Sequence, residues 1–574
     1  MLGVLGALLV TAAVLGAVLP RPPPEPPAMP RPIGVDEAPP RDARYVSTMG
    51  DDATGDGSVD APWRSLGAAV RAVPTGTTIV LREGTYRESV TWEDKAIRVQ
   101  ARAGEEVWLS GSIEVDGWVR DGRLWRRDGW DPELVRRDVN PILIDPDNPV
   151  AEQPDLVFLD GQPLRQVASR SALVAGTFQV DTEASAILLA EDPAGRVVEA
   201  AVLGEALTVR GDGSAVVGLG FRHYATNVNR LGAVRAWSDD LVITDNVFVD
   251  NAAAGLSVIG TDATVRRNRM ERNGQLGLHA HQADGLLVED NLFGRNNSKG
   301  FAQGSAVGGF KITASRDVVI RDNVAVANDG PGIWVDESSL DVVVVRNLAQ
   351  GNTGHGLMYE ISARGLLASN VSVGNDRNGL YVLESNDVGV WNNTLVDNGT
   401  NLLVLDGDRT SQDVDAVGHD RRFMPDPAIS WDVDGITIRN NLLVDRRQRT
   451  TALLRVDDAE RRRSAESMAV TLDANGYQRV HRNPRDLIRW SRWPTQVVPA
   501  RTIQEVRVIT GQEEHGVLIP GDARVFADVE DLRLAPSSPA RGAGMPLPPR
   551  VQRWLDVELD PGEAVDLGAL HLGS

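Results

Sequence analysis

Residues 320–328 read IRDNVAVAN, residues 344–352 read VVRNLAQGN and residues 367–375 read LASNVSVGN, and in each the fourth and ninth positions are asparagine. The pattern continues on both sides, as ITDNVFVDN from 243, VRRNRMERN from 265, VEDNLFGRN from 288 and VWNNTLVDN from 390. It stacks Asn246, Asn268, Asn291, Asn323, Asn347, Asn370 and Asn393 in one column, with successive steps of 22, 23, 32, 24, 23 and 23 residues. A second column holds Asn251, Asn273, Asn296, Asn328, Asn352, Asn375 and Asn398. Gly255, Gly277, Gly332, Gly356 and Gly379 each open a short alternating run. Asn401 is their counterpart in the next run, and Gly309 follows a nine-residue insertion.

A period near 23 cut into short apolar runs predicts a parallel β-solenoid, because one coil cannot bury its own face and each coil must offer it to the next. Asparagine tolerates left-handed backbone angles at turns, and its amide can hydrogen-bond to the same amide one coil away, which fixes the register. Runs such as GLSVIG, GIWVDE and GLYVLE alternate with period two and are rich in β-branched residues, which excludes a helical repeat. Ser65 is placed to cap a helix through Leu66, Ala69, Val70 and Val73, closing the open end of the stack. Between Trp108 and Glu205 the period vanishes, and DLVFLDGQPL, GTFQVD and SAILLAEDP read as an inserted antiparallel β-domain.

The chain carries 59 Lys and Arg against 80 Asp and Glu, a net charge of −21, and no cysteine. The charge argues against nucleic acid as partner. The absence of cysteine excludes disulfide scaffolds, thiolate metal sites and cysteine nucleophiles. Leu2 to Leu19 is 18 residues without a charge, followed by the proline-rich RPPPEPPAMPRP, which reads as an export signal or single-span anchor and a stalk. The expected organisation is a signal peptide or membrane anchor at 1–19, a Pro-rich linker at 20–43, N-terminal coils with the capping helix at 44–110 and the inserted β-rich domain at 111–203. The main parallel β-helix follows at 204–450, and 451–574 completes the solenoid. The expected location is extracellular, secreted or anchored on the outer membrane face.

The opening YVSTMGDDATGDGSVDAPWRSLGAAVRAVPTGTTIVLREGTYRE, residues 45–88, resembles the first coil of secreted right-handed parallel β-helix enzymes of the pectin-lyase-like kind that act on polysaccharides. The stretch GIWVDESSLDVVVVRNLAQGNTGHGLMYEIS, residues 332–362, is similar to the catalytic stretch of the β-helical glycoside hydrolases of the β-xylosidase type. The resemblance implies an all-β right-handed parallel β-helix with a β-rich insertion, an oligosaccharide or polysaccharide substrate, Asp336 as nucleophile and Glu360 as acid/base.

Strand parity leads to the same two residues by another route. In each run the second and fourth residues after the glycine are mostly apolar and point inward, so the third and fifth point outward. The outward third column is Arg235, Ser257, His279, Lys311, Trp334, Met358 and Tyr381; the fifth is Trp237, Ile259, His281, Thr313, Asp336, Glu360 and Leu383. Asp336 and Glu360 thus occupy neighbouring rungs about 4.8 Å apart. At roughly 5 Å and an effective dielectric near 20, two carboxylates repel by about 3 kcal/mol, relieved when one keeps its proton. One acid beside one anion is what glycosidic cleavage needs, and a separation near 5 Å predicts retention through a covalent intermediate. Trp334, Trp237 and Tyr381 are candidates to stack on sugar rings. His279, His281, Lys311 and Arg235 are candidates to bind substrate or tune the carboxylates. Glu337 is a substitute carboxylate, and the insertion NNSKGFAQG at 296–304 a candidate cleft wall.

Two other functions fit the same residues. A polysaccharide lyase or uronate epimerase would use Lys311 or a histidine as base and hold Ca²⁺ on Asp336, Glu337 and Glu360. The hydrolase needs no cofactor, and the scarcity of arginine in the outward columns favours its neutral glycan. A non-catalytic cell-surface β-helix protein is the third.

Overall fold

The computed structural model describes residues 34, 38–136, 141–227, 231–304, 306–447, 452–481, 486–528, 532–560 and 562–570. The expected signal or anchor at 1–19 and most of the linker lie outside the described residues. Among those described, no helix is long and apolar enough to cross a membrane.

Each coil supplies one short strand to each of three sheets of thirteen strands. In one coil these are Ile333–Asp336, Val343–Val345 and Leu348–Gln350. They pair in parallel register with Leu357–Glu360, Leu366–Ala368 and Val371–Val373 of the next. The sheet that carries Ile333–Asp336 is called the site sheet below. Inward positions form a continuous core in which Leu256, Val258, Leu380 and Val382 are fully buried. Each such side chain removed from water contributes about 1.5–3 kcal/mol.

Both asparagine columns become hydrogen-bonded ladders inside the turns. Asn347 Oδ1 accepts from the backbone N–H and the Nδ2 of Asn323, both at 3.0 Å, while Asn347 Nδ2 donates to Asn370 Oδ1 at 3.0 Å and Ile320 O at 2.9 Å. The ladder asparagines do not themselves take the left-handed conformation. The residue before each one does, as at Asp322 (φ 57°), Arg346 (φ 56°) and Ser369 (φ 54°), which leaves the asparagine free to span two coils. The glycine column is required by space. A Cβ on Gly356 would lie 2.2 Å from Ser372 Oγ and 2.6 Å from the carbonyl oxygen of Gly379.

The helix Leu66–Ala72 carries the Ser65 cap, with Ser65 Oγ accepting from Ala68 N–H at 3.1 Å, and it buries Leu66, Ala69 and Val70. Strands from Ser112–Glu114 to Val198–Ala201 form a four-stranded and a five-stranded sheet, largely antiparallel, set between the coil strands Val107–Ser110 and Leu207–Arg210. The last coil strand is Val517–Ile519. Beyond it the chain folds back over the two sheets opposite the site sheet. Val525, Phe526 and Leu532 cover Val396 and Leu442, and Leu547, Val551 and Leu555 cover Val343 and Trp391.

Candidate active site

The site sheet brings the two predicted columns together as parity requires. His279, Lys311, Trp334, Met358 and Tyr381 pair rung by rung. His281, Thr313 and Asp336 pair likewise. Val335 opposes Tyr359, so Asp336 and Glu360 end neighbouring strands side by side. The residue after each takes a left-handed turn, Glu337 at φ 52° and Ile361 at φ 34°, and Glu384 at φ 46° occupies the same place one coil on. For the β-branched Ile361 this is a strained conformation directly beside Glu360.

The outward columns are not a solvated surface. Lys311 and Asp336 are 5% exposed, Glu360 7% and Trp334 6%. Asp336 is held by a buried cation, with Lys311 Nζ 2.6 Å from its Oδ2, and its Oδ1 accepts the Glu337 N–H at 2.7 Å. Lys311 Nζ also lies 3.7 Å from the Trp334 ring centroid, a cation–π contact. Glu360 Oε2 accepts from Trp334 Nε1 at 2.9 Å, and its Oε1 meets the Arg409 guanidinium at 2.6 Å. Burial, reinforced by the charge of Asp336, pushes the Glu360 carboxyl up to about 7 against the pull of Arg409 and Lys311.

A cleft of about 340 Å³ opens beside Glu360 over a floor of Trp334, Met358 and Tyr381. Gln303 and Gly304, from the insertion expected as a wall, line it together with His355, Arg377 and Asn378. His355 packs on Tyr381 with ring centroids 4.8 Å apart, and burial, with the Arg377 charge, pushes its imidazole down to about 3. Its Nδ1 accepts the Asn378 N–H at 3.3 Å, so the neutral ring carries its proton on Nε2.

Of the residues singled out in the sequence, Trp334, Glu360 and Tyr381 line the cleft. Asp336 and Lys311 are not among its lining residues; Asp336 ends the strand beside that of Glu360 and pairs with Lys311. His279 and His281 lie one coil further, both near Thr313, with His281 Nδ1 2.9 Å from Thr313 Oγ1. Arg235 and Trp237 stand four rungs from Asp336, about 19 Å along the stack. Arg235 pairs with Glu205 at 3.0 Å and lies over the Trp237 ring, so neither reaches the cleft. Glu337 turns back toward Lys311, at 3.8 Å.

Parity missed His355, Arg377, Glu384 and Arg409. The first two precede the strands, Glu384 follows one, and Arg409 belongs to the aperiodic segment after the Thr400–Asp406 strand. Gly354-His355-Gly356 was the one available signal, a ring between two glycines at the mouth of a rung.

The carboxylates considered for Ca²⁺ are paired with cations of the chain. The Lys311 ammonium already occupies Asp336, and Arg409 occupies Glu360. Among the described residues, no cluster of three His, Asp or Glu side chains is arranged to hold a metal ion.

Residues 222–361, which include both carboxylates, match the family described as the right handed beta helix region. No curated protein sequence matches the chain. The chain is similar to the structure described as the complex of XylC with xylose, at 16% identity and a TM-score of 0.58 over 76% of this chain and 83% of that one. It is also similar to one described as a glycoside hydrolase, at 16% identity and TM-score 0.45 over 76% and 96% of the two chains. A third similar structure is the Azotobacter vinelandii mannuronan C-5 epimerase AlgE6 A-module, at 13% identity and TM-score 0.39 over 72% and 87%. At such identities the first likeness is one of fold, and the two weaker ones add nothing to it. The three parallel sheets, the family match and the first similar structure together make this chain a right-handed parallel β-helix.

Proposed function

We propose that the protein is a carbohydrate-active enzyme, a retaining glycoside hydrolase that cleaves a neutral glycan outside the cytoplasm, as a secreted or membrane-anchored protein. The observation that carries this is the pair of carboxyls on adjacent rungs in unlike environments. Asp336 is paired with a buried ammonium, while Glu360 is pushed up to about 7 at the edge of an aromatic-floored cleft. Glu360 then donates its proton to the leaving oxygen while Asp336 attacks the anomeric carbon and forms a glycosyl ester. In the second half Glu360, now ionised, takes a proton from water as that water attacks the same carbon and releases Asp336. Trp334 holds Glu360 through its indole N–H, and with Tyr381 offers a flat apolar floor to the sugar. The similarity to the structure of XylC with xylose supports trying xylosides first. The lyase or epimerase alternative gains no support from Lys311, whose ammonium is engaged by Asp336.

The test is a panel of aryl glycosides, beginning with the β-xyloside, with NMR of the first-formed product anomer. Retention is expected. Glu360→Gln should lower kcat/KM about 10²–10⁴-fold. Added azide should then restore turnover as the glycosyl azide of retained configuration, whereas in Asp336→Asn it should give the inverted azide. An inverted first product, or wild-type rates in both variants, would refute the assignment.

A further inference from the structure

The carboxyl at the cleft edge does not stand alone with its cation. Arg409 N–H donates to Glu384 Oε1 at 3.0 Å, Arg409 Nε donates to the other Glu384 oxygen, and its terminal nitrogen reaches Glu360 Oε1 at 2.6 Å. Glu384 is 2% exposed and sits on the turn one rung beyond Glu360. Gly407 makes room for this contact, since a Cβ there would lie 2.0 Å from Glu384 Oε1. The segment after the Thr400–Asp406 strand that delivers Arg409 is pinned to the coils at several points. Arg422 bridges Asp284 at 2.9 Å, Arg316 pairs with Asp426, and buried Trp431 donates to Ser338 Oγ at 3.1 Å. Trp431 belongs to the same apolar cluster as Ile361, the residue that follows Glu360. The segment is thus built onto the turn beside Glu360.

We propose that Arg409, contributed from outside the repeat, is a positioning residue oriented by Glu384 on the neighbouring coil turn, and that the two together aim Glu360 and set its protonation state. Charged and polar groups face Glu360 from every neighbouring element. These are Asp336 and the Trp334 indole from the preceding rung, Lys311 from the rung before that, Tyr381 from the following rung and Arg409 from the segment; Glu384 acts through Arg409, Glu337 lies against Lys311, and Asp408 acts on Glu384. Within this set Arg409 is the cation in contact with Glu360, and Glu384 is the anion that shares it. The two therefore act on Glu360 with opposite sign. Removing Arg409 takes a positive charge from contact with the Glu360 carboxylate and favours the proton. Neutralising Glu384 leaves the Arg409 charge undivided and favours the carboxylate. A purely structural clamp would not give opposite shifts.

This proposal rests on the hydrolase reading for its kinetic measurement but not for its spectroscopic one. The experiment follows the basic limb of kcat/KM against pH on the best-cleaved aryl glycoside. In parallel it titrates the Glu360 carboxyl by ¹³C NMR in the full chain, with the signal assigned by its loss in Glu360→Gln. Arg409→Gln should move both upward by about one pH unit or more, and Glu384→Gln should move both downward. Arg409→Lys, which keeps the charge, should return the limb close to its wild-type position. Gly407→Ala, which displaces the Glu384 carboxylate and leaves every charge in the chain, should act in the direction of Glu384→Gln and serves if that variant does not fold. Unmoved titrations, or shifts of one sign in both charge-removing variants, overturn the proposal. Opposite NMR shifts in a chain that cleaves no glycoside would uphold the clamp and refute the hydrolase. Cleavage with unmoved titrations would do the reverse.

Discussion

Lys311 is the residue on which the charge balance of the cleft turns, because it is 5% exposed, it pairs with an equally buried Asp336 and its ammonium rests on the Trp334 ring. A buried pair of this kind adds little net stability, but breaking it from one side leaves a charge without a partner or water. Lys311→Met should therefore destabilise the fold by about 3–5 kcal/mol, measured as a lower urea midpoint with unchanged slope. Adding Asp336→Asn to that variant should recover part of the loss, since a neutral amide needs no counter-charge. That coupling is the signature of a pair rather than two independent contacts. Lys311 stood in the outward column by spacing alone; its partner and its depth did not. Neighbouring rungs, the Trp334 ring and the Arg409-bearing segment cover what parity could only call outward.

The turn, repeated with its asparagine, is the element that makes the stack specific. Asn347 serves as acceptor to Asn323 and as donor to Asn370, Ile320 and Val345, all in the interior. Asn347→Ala would strip these partners at once, and a buried group left unpaired costs about 1–3 kcal/mol. A loss of about 3 kcal/mol or more in unfolding free energy is expected, compared with a few tenths for Val326→Thr on a half-buried outer position. The two ladders were legible because a side chain that bonds to its own image must recur at the coil period. Left-handed turn residues were not, because Asp322, Arg346 and Ser369 share a backbone angle and no chemistry. For the same reason Arg409 and Glu384 escaped notice. One lies in a segment that interrupts the period, and the other on a turn where strand parity has already ended.

For the whole molecule the problem is how a stack of coils stops, since Asn475 offers its polar groups to a next turn that carries no asparagine among the described residues. The first ladder runs beyond the seven asparagines read from the sequence, through Asn441 and Asn475, and then meets Glu513. One carboxylate does the work of the next asparagine. Its Oε1 accepts Asn475 Nδ2 at 2.7 Å and the Tyr477 hydroxyl at 2.6 Å, and its Oε2 accepts the Asn475 N–H at 3.2 Å. Burial pushes this carboxyl up to about 7, although all three donors favour the anion. In the unfolded chain a glutamate titrates near 4.3, so on acidification the native state binds this proton before the unfolded one does. The stabilising contribution is complete below about pH 4 and is lost as pH rises toward 7, where the fold must bear a buried anion. Global unfolding by urea should therefore show a downward slope in stability between about pH 4.5 and 7 that Glu513→Gln flattens, a neutral amide being unable to titrate. Other groups set the absolute value at each pH, so the difference between the two proteins is the quantity to measure. An identical slope in both would mean that the stack ends without help from this proton.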